Sequence, residues 1–261
     1  MIVALILTVF AGLSTSIGSA LALLSRRTDT GLLSLALGFS GGVMVYISFV
    51  EMFPEALESI AAVHGEGTAQ WLTAAGFFGG MLAIAAIDFL VPSYENPHHH
   101  SLPEDMEDTP DSRRLMRMGV LSALAIAIHN FPEGIATFFA TLHDPAVGVP
   151  VAIAVALHNV PEGIAVAVPV FYATGSRTKA FWYSSLSGFS EPVGAVVGYL
   201  VLRPWLRDDV LGMVFAVVAG IMVFISLDQL IPNAKRYGRG HQAVYGLVLG
   251  MAVMAVTLLV L

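Results

Sequence analysis

One six-residue phrase is written twice in this chain. His-Asn-Phe-Pro-Glu-Gly at 129–134 returns as His-Asn-Val-Pro-Glu-Gly at 158–163, and each copy runs on into Ile-Ala. On a helix, His129 and Glu133 are four residues apart and share a face, with Asn130 beside them. His158, Asn159 and Glu162 repeat that set. Imidazole nitrogens, amide oxygens and carboxylates are ligands for a divalent ion. The chain has no cysteine, so any metal is held by nitrogen and oxygen, and disulfides are excluded. Pro132 and Pro161 each remove a backbone donor and free the carbonyl four residues back, at Ile128 and Leu157, which predicts a kink in each helix.

The elements that carry these residues must lie in a bilayer. Of 261 residues, 56% are hydrophobic and 12% charged, with a mean hydropathy of +0.78. So little charge cannot cover a soluble domain of this size, and the composition is that of an integral membrane protein. Apolar windows fall at 1–25, 31–50, 67–87, 118–142, 146–172, 180–202, 210–227 and 242–261. About 20 residues cross the hydrocarbon core, so the expected fold is all-α and polytopic, with eight transmembrane helices. The windows are continuously apolar rather than alternating, which argues against a β-barrel. The first window lacks a basic leader and is as long as a true span, so it reads as a helix and not as a cleaved signal. A net charge of −7 spread over loops is no nucleic-acid signal.

Depth follows from the windows. Their centres put Asn130, Asn159 and Glu191 at the midplane, with His129, Glu133, His158 and Glu162 within a helical turn. An ionised carboxylate there costs a few kcal/mol or more unless paired or metal-bound. No Lys or Arg occurs between 118 and 176 or between 180 and 202 to pair with them. A multivalent cation is the fitting partner for the seven.

Basic residues set the orientation. With both termini extracytoplasmic, ten Lys and Arg fall in the cytoplasm (Arg26, Arg27, Arg113, Arg114, Arg117, Arg177, Lys179, Lys235, Arg236 and Arg239), and only Arg203 and Arg207 outside. Glu51 and Glu55 then lie toward the outer mouth and Asp228 toward the inner one, as weaker candidates for an ion pathway. Glu58, His64 and Glu66 read as loop. The long polar segment 92–117 reads as a disordered cytoplasmic loop, whose His98-His99-His100 run suggests a modulator of metal handling and not a site. A second repeat sets residues 42–56 on 220–234, identical at seven of fifteen positions including a Ser, a Pro and a Gly. The second span runs outward and the seventh inward, so the copies form an inverted internal repeat, a design common in secondary transporters.

With both motifs and Glu191 together, the whole chain resembles the ZIP (Zrt/Irt-like) family of divalent-metal transporters, in its bacterial ZupT- and GufA-type branch. The resemblance implies one transmembrane domain over 1–261, in the bacterial inner (plasma) membrane, that imports zinc and also iron, manganese, cobalt or cadmium. It implies a two-metal site. His129, Glu133, His158 and Glu162 would form the first position; Asn130, Asn159 and Glu191 would form the second, with Glu133 and Glu162 bridging. It further implies that helices 1, 4, 5 and 6 move against helices 2, 3, 7 and 8, within a homodimer. The partners expected are divalent ions, the lipid bilayer and a second copy. Two other readings compete. A metal exporter or metal-selective channel would use the same ligands. An intramembrane metalloprotease would want His-Glu-x-x-His, which the sequence lacks.

Overall fold

The computed structural model describes residues 1–24, 30–90 and 112–260. Among them every regular element is helical. Eight helical stretches among the described residues are long and apolar enough to cross a membrane: Ile2–Leu24, Gly31–His64, Glu66–Ile87, Leu115–His143, Pro145–Thr174, Arg177–Trp205, Asp208–Tyr237 and Gln242–Val260. They are called the first to eighth spans below. The protein is therefore an all-α, multi-pass membrane protein.

The spans sort into two groups. The first packs along the fifth, the fourth lies between the fifth and the sixth, and the first also touches the sixth. In the other group the second packs on the eighth, and the seventh on the second and third. The two groups meet chiefly where the second span faces the fifth. Large apolar side chains such as Phe10, Ile17, Leu82 and Leu186 point outward, as they must where the surrounding solvent is hydrocarbon. Trp71, Trp182 and Trp205 stand exposed near span ends, the level at which amphipathic rings favour a membrane–water boundary.

Several ends lie elsewhere than the windows predict. The second span does not stop where its window ends at residue 50 but continues to His64, so Glu58 and His64 are helical and Glu66 opens the next helix. Acidic residues look like loop in sequence, yet here they occupy the wet end of a helix longer than the hydrocarbon is thick. The fourth span begins as a helix at Ser112, so residues 112–117 of the expected loop are helical too. His98, His99 and His100 lie outside the described residues.

The internal repeat has a structural counterpart. Both copies widen into a π-helical turn at corresponding places, Ser48–Met52 and Ser226–Leu230. The N–H of Phe53 reaches Ser48 O and that of Ile231 reaches Ser226 O, five residues back. Each turn is followed by a proline, Pro54 and Pro232. A proline ring collides with the carbonyl four residues back in a regular helix, and one widened turn relieves the clash without breaking the span.

Polar contacts tie corners together at one end of the molecule. His64, the last residue of the second span, has Nε2 3.0 Å from Asp209 Oδ2 at the start of the seventh. Arg207 joins the same carboxylate. His143 Nε2, at the end of the fourth span, lies 3.3 Å from Glu55 Oε1 on the second.

Candidate metal centre

The fourth and fifth spans run through Pro132 and Pro161 as uninterrupted helices. Asp144 is the one residue between them, and its side chain caps the fifth span by accepting from the Ala146 N–H at 2.8 Å. So short a connection forces the two spans antiparallel, with the two motifs side by side. The sixth span breaks at Phe189, between helices Arg177–Gly188 and Ser190–Leu202. Pro192 explains the break, since its ring would meet the carbonyl of Gly188. Glu191 thereby stands in the first turn of a new helix, where backbone N–H groups and the helix dipole favour a carboxylate.

Glycines let these spans come close. A methyl on Gly134 would lie 2.0 Å from Glu191 O, and one on Gly194 would lie 2.2 Å from Phe131 O. On the other flank, a methyl on Gly163 would lie 1.9 Å from Thr15 O. The motif glycines therefore set backbone-to-backbone contact, which the site needs.

All seven residues expected at the midplane are buried: His129, Asn130, Glu133, His158, Asn159, Glu162 and Glu191. The centres of the fourth, fifth and sixth spans fall at or within one residue of His129, Asn159 and Glu191. Glu162 is the hub. Its Oε1 lies 2.5 Å from His129 Nε2 and 2.7 Å from His158 Nε2. With its nitrogen toward them, the Asn130 amide donates to Glu162 Oε2 at 3.1 Å and to Ile126 O at 3.2 Å. Ligand atoms of His129, His158 and Glu162 all lie within 4.8 Å of one another. Glu133 comes to 4.0 Å from His158 Nε2.

The remaining two residues form a second cluster. The Asn159 amide donates to Ala11 O at 2.9 Å and to Glu191 Oε1. Glu191 is close enough to Glu133 and Glu162 to feel their charge. Several oxygens in the two clusters make no hydrogen bond: both of Glu133, Asn159 Oδ1 and Glu191 Oε2. Buried carboxylate oxygens without partners are costly in a folded protein unless a cation completes them. The donor set is nitrogen and oxygen only, which suits zinc and its divalent neighbours.

The pathway candidates lie apart from this centre. Glu55 pairs with His143, and Glu51 is half-buried within electrostatic reach of Glu55 and Asp144. Asp228 is exposed on its π-helical turn, whereas Gln229, which matches Glu51 in the repeat, is buried. Two partners of the centre had no signal in the sequence. Ser40 Oγ sits 2.7 Å from His158 Nδ1 across 118 residues of chain, and the carbonyl of Ala11 receives Asn159. A lone serine in an apolar span has no spacing that reveals its target.

Known proteins resemble this chain over nearly its whole length. The family model described as "ZIP Zinc transporter" matches residues 91–258. A zinc transporter ZupT of Oceanobacillus iheyensis is 56% identical, over 100% of this chain and 98% of its own length. The one from Nitratidesulfovibrio vulgaris is 60% identical over 97% and 95%. That of Streptococcus mutans is 53% identical over 98% and 96%. These are transporters and not enzymes, which removes the protease reading. By a match that covers most of its length and by full-length identity above one half, the chain belongs to the ZIP zinc transporter family.

Proposed function

We propose that this protein carries zinc into the cytoplasm through the midplane centre on its fourth, fifth and sixth spans. The observation that carries the reading is the buried triad of His129, His158 and Glu162, ligand atoms converging with no Lys or Arg in any of the three spans at that depth. In this reading Glu133 completes the first metal position. Asn130, Asn159 and Glu191 form a second, with Glu133 and Glu162 shared between them. A site without thiolate does not exclude iron, manganese, cobalt or cadmium, so these ions compete for it. The bound metal is the cargo. Glu51 and Glu55 line its way in from outside, and Asp228 its way out. Uptake of radioactive zinc into sealed vesicles of known orientation tests the reading, with the other ions as competitors. Zinc that moves only out of the cytoplasmic compartment would establish an exporter instead.

The ligands differ in rank. Glu133→Ala should abolish uptake while the protein still inserts, because both positions lose a ligand. Glu191→Ala should be milder, because it touches one. Equal losses would count against two positions. Glu133→Gln carries a second signature. The variant replaces a buried carboxyl group whose oxygens accept no hydrogen bond, so the zinc-free protein should unfold at the same temperature or higher while uptake is lost. A clear drop in unfolding temperature would mean that Glu133 is structural.

Orientation is tested separately. A cysteine at Ser101 should react with an impermeant thiol reagent only from the cytoplasmic side, and a reporter fused after Leu261 should read as external. Labelling of position 101 from outside would reverse the two mouths and the direction of import.

A further inference from the structure

We propose that Ser40, on the second span, is a positioning residue of the metal centre that fixes the imidazole of His158. The inference rests on the reading of His158 as a ligand. Its Oγ lies 2.7 Å from His158 Nδ1, and both side chains are fully buried. A neutral imidazole has one donor and one acceptor nitrogen, and a partner held at Nδ1 decides which is which. For Nε2 to bind a metal, Nδ1 carries the proton and donates it to Ser40 Oγ. That arrangement fixes the ring plane and raises the basicity of the ligand nitrogen. The opposite edge of the ring fits this role. Nε2 faces Glu162 at 2.7 Å and Glu133 at 4.0 Å, without hydrogen-bond geometry to either.

The backbone behind Ser40 is built to hold it still. A methyl on Gly38 would lie 2.3 Å from Ala243 O, and one on Gly42 would lie 2.0 Å from Leu247 O. The second span is thus seated directly on the eighth on either side of Ser40. Its hydroxyl reaches from there across the seam between the two helix groups, to a residue of the fifth span. One side chain of one group thereby orients a ligand that belongs to the other.

The test is a double-mutant cycle read by zinc calorimetry on the purified full chain: wild type, Ser40→Ala, His158→Gln and the double variant. His158→Gln keeps an amide oxygen at the position but has no Nδ1 to orient. Ser40→Ala should weaken zinc binding about 10- to 100-fold, the usual cost of losing a partner behind a metal ligand. In the His158→Gln background the same change should cost almost nothing, because its effect passes through the ring. The nitrogen-15 signal of His158 Nδ1 should shift in Ser40→Ala. Wild-type affinity in Ser40→Ala, or an undiminished loss in the His158→Gln background, overturns the inference. Failure of the wild-type chain to bind zinc would instead overturn the transport reading, and this inference with it.

Discussion

Glu162→Gln should insert into the membrane at the wild-type level and take up no zinc above background. Glutamine has the shape of glutamate and still accepts hydrogen bonds, so the packing around residue 162 survives the change. What disappears is the negative charge between two imidazoles. One oxygen of Glu162 faces both His129 and His158, and the other receives Asn130. Neither Glu133 nor Glu191, the other carboxylates of the centre, meets three partners in this way. An amide cannot serve two imidazoles and a cation together, since it carries no charge and half of its polar edge is a donor. Loss of a partner behind a metal ligand costs roughly 10- to 100-fold in affinity, and loss of a ligand in direct contact should exceed that. His129→Ala and His158→Ala should fall short of it, because each leaves the carboxylate and the other ring in place. Zinc uptake within a few-fold of wild type in Glu162→Gln would end the reading of these residues as a metal centre.

The place of these residues at the middle of their helices was legible because it depends on little. Eight apolar windows fix eight spans, and the midpoint of a window moves by half of any error at its ends. The apolar stretch of the fourth helix starts at Leu115 and not at 118, yet His129 and Asn130 stay at the middle. The ends themselves were less legible. Glu55, Glu58 and His64 have loop-like composition, but a helix that emerges from the membrane keeps its hydrogen bonds in water and need not stop at the hydrocarbon edge. The π-helical turns at Ser48 and Ser226 were foreshadowed by the repeat, which aligns Pro54 with Pro232, although a proline alone does not say whether a helix will kink, break or widen. The division of labour within the centre was beyond the sequence. Two copies of one motif predict equivalent carboxylates, whereas Glu162 meets three partners and Glu133 accepts no hydrogen bond. That asymmetry comes from how the first, second and sixth spans pack around the pair, through contacts such as Ser40 with His158 and Gly134 with Glu191.

Gly134→Ala should cost the protein both stability and its second cluster, although it adds a single methyl. The new carbon would lie 2.0 Å from Glu191 O and 2.6 Å from Glu191 C and Cα. All three are backbone atoms of a helix and cannot rotate away, so the sixth span must move. Adding a methylene to a tight core costs about 1–3 kcal/mol even when side chains can yield; with backbone on the other side the cost should sit at or above the top of that range. Gly194 meets Phe131 O in the same way from the opposite side, so the two helices have no slack to share. Movement of the sixth span carries Glu191 away from Asn159 and from the two central glutamates. The expected result is a lower unfolding temperature in detergent and zinc binding that loses its second equivalent before its first. Gly67→Ala is the control. It lies in the helix of the third span with nothing within 4 Å, so alanine there should leave zinc binding unchanged and raise stability by about 0.4–1 kcal/mol. If Gly134→Ala unfolds at the wild-type temperature and binds zinc in the wild-type ratio, close contact of the fourth and sixth spans is not what holds Glu191 in place.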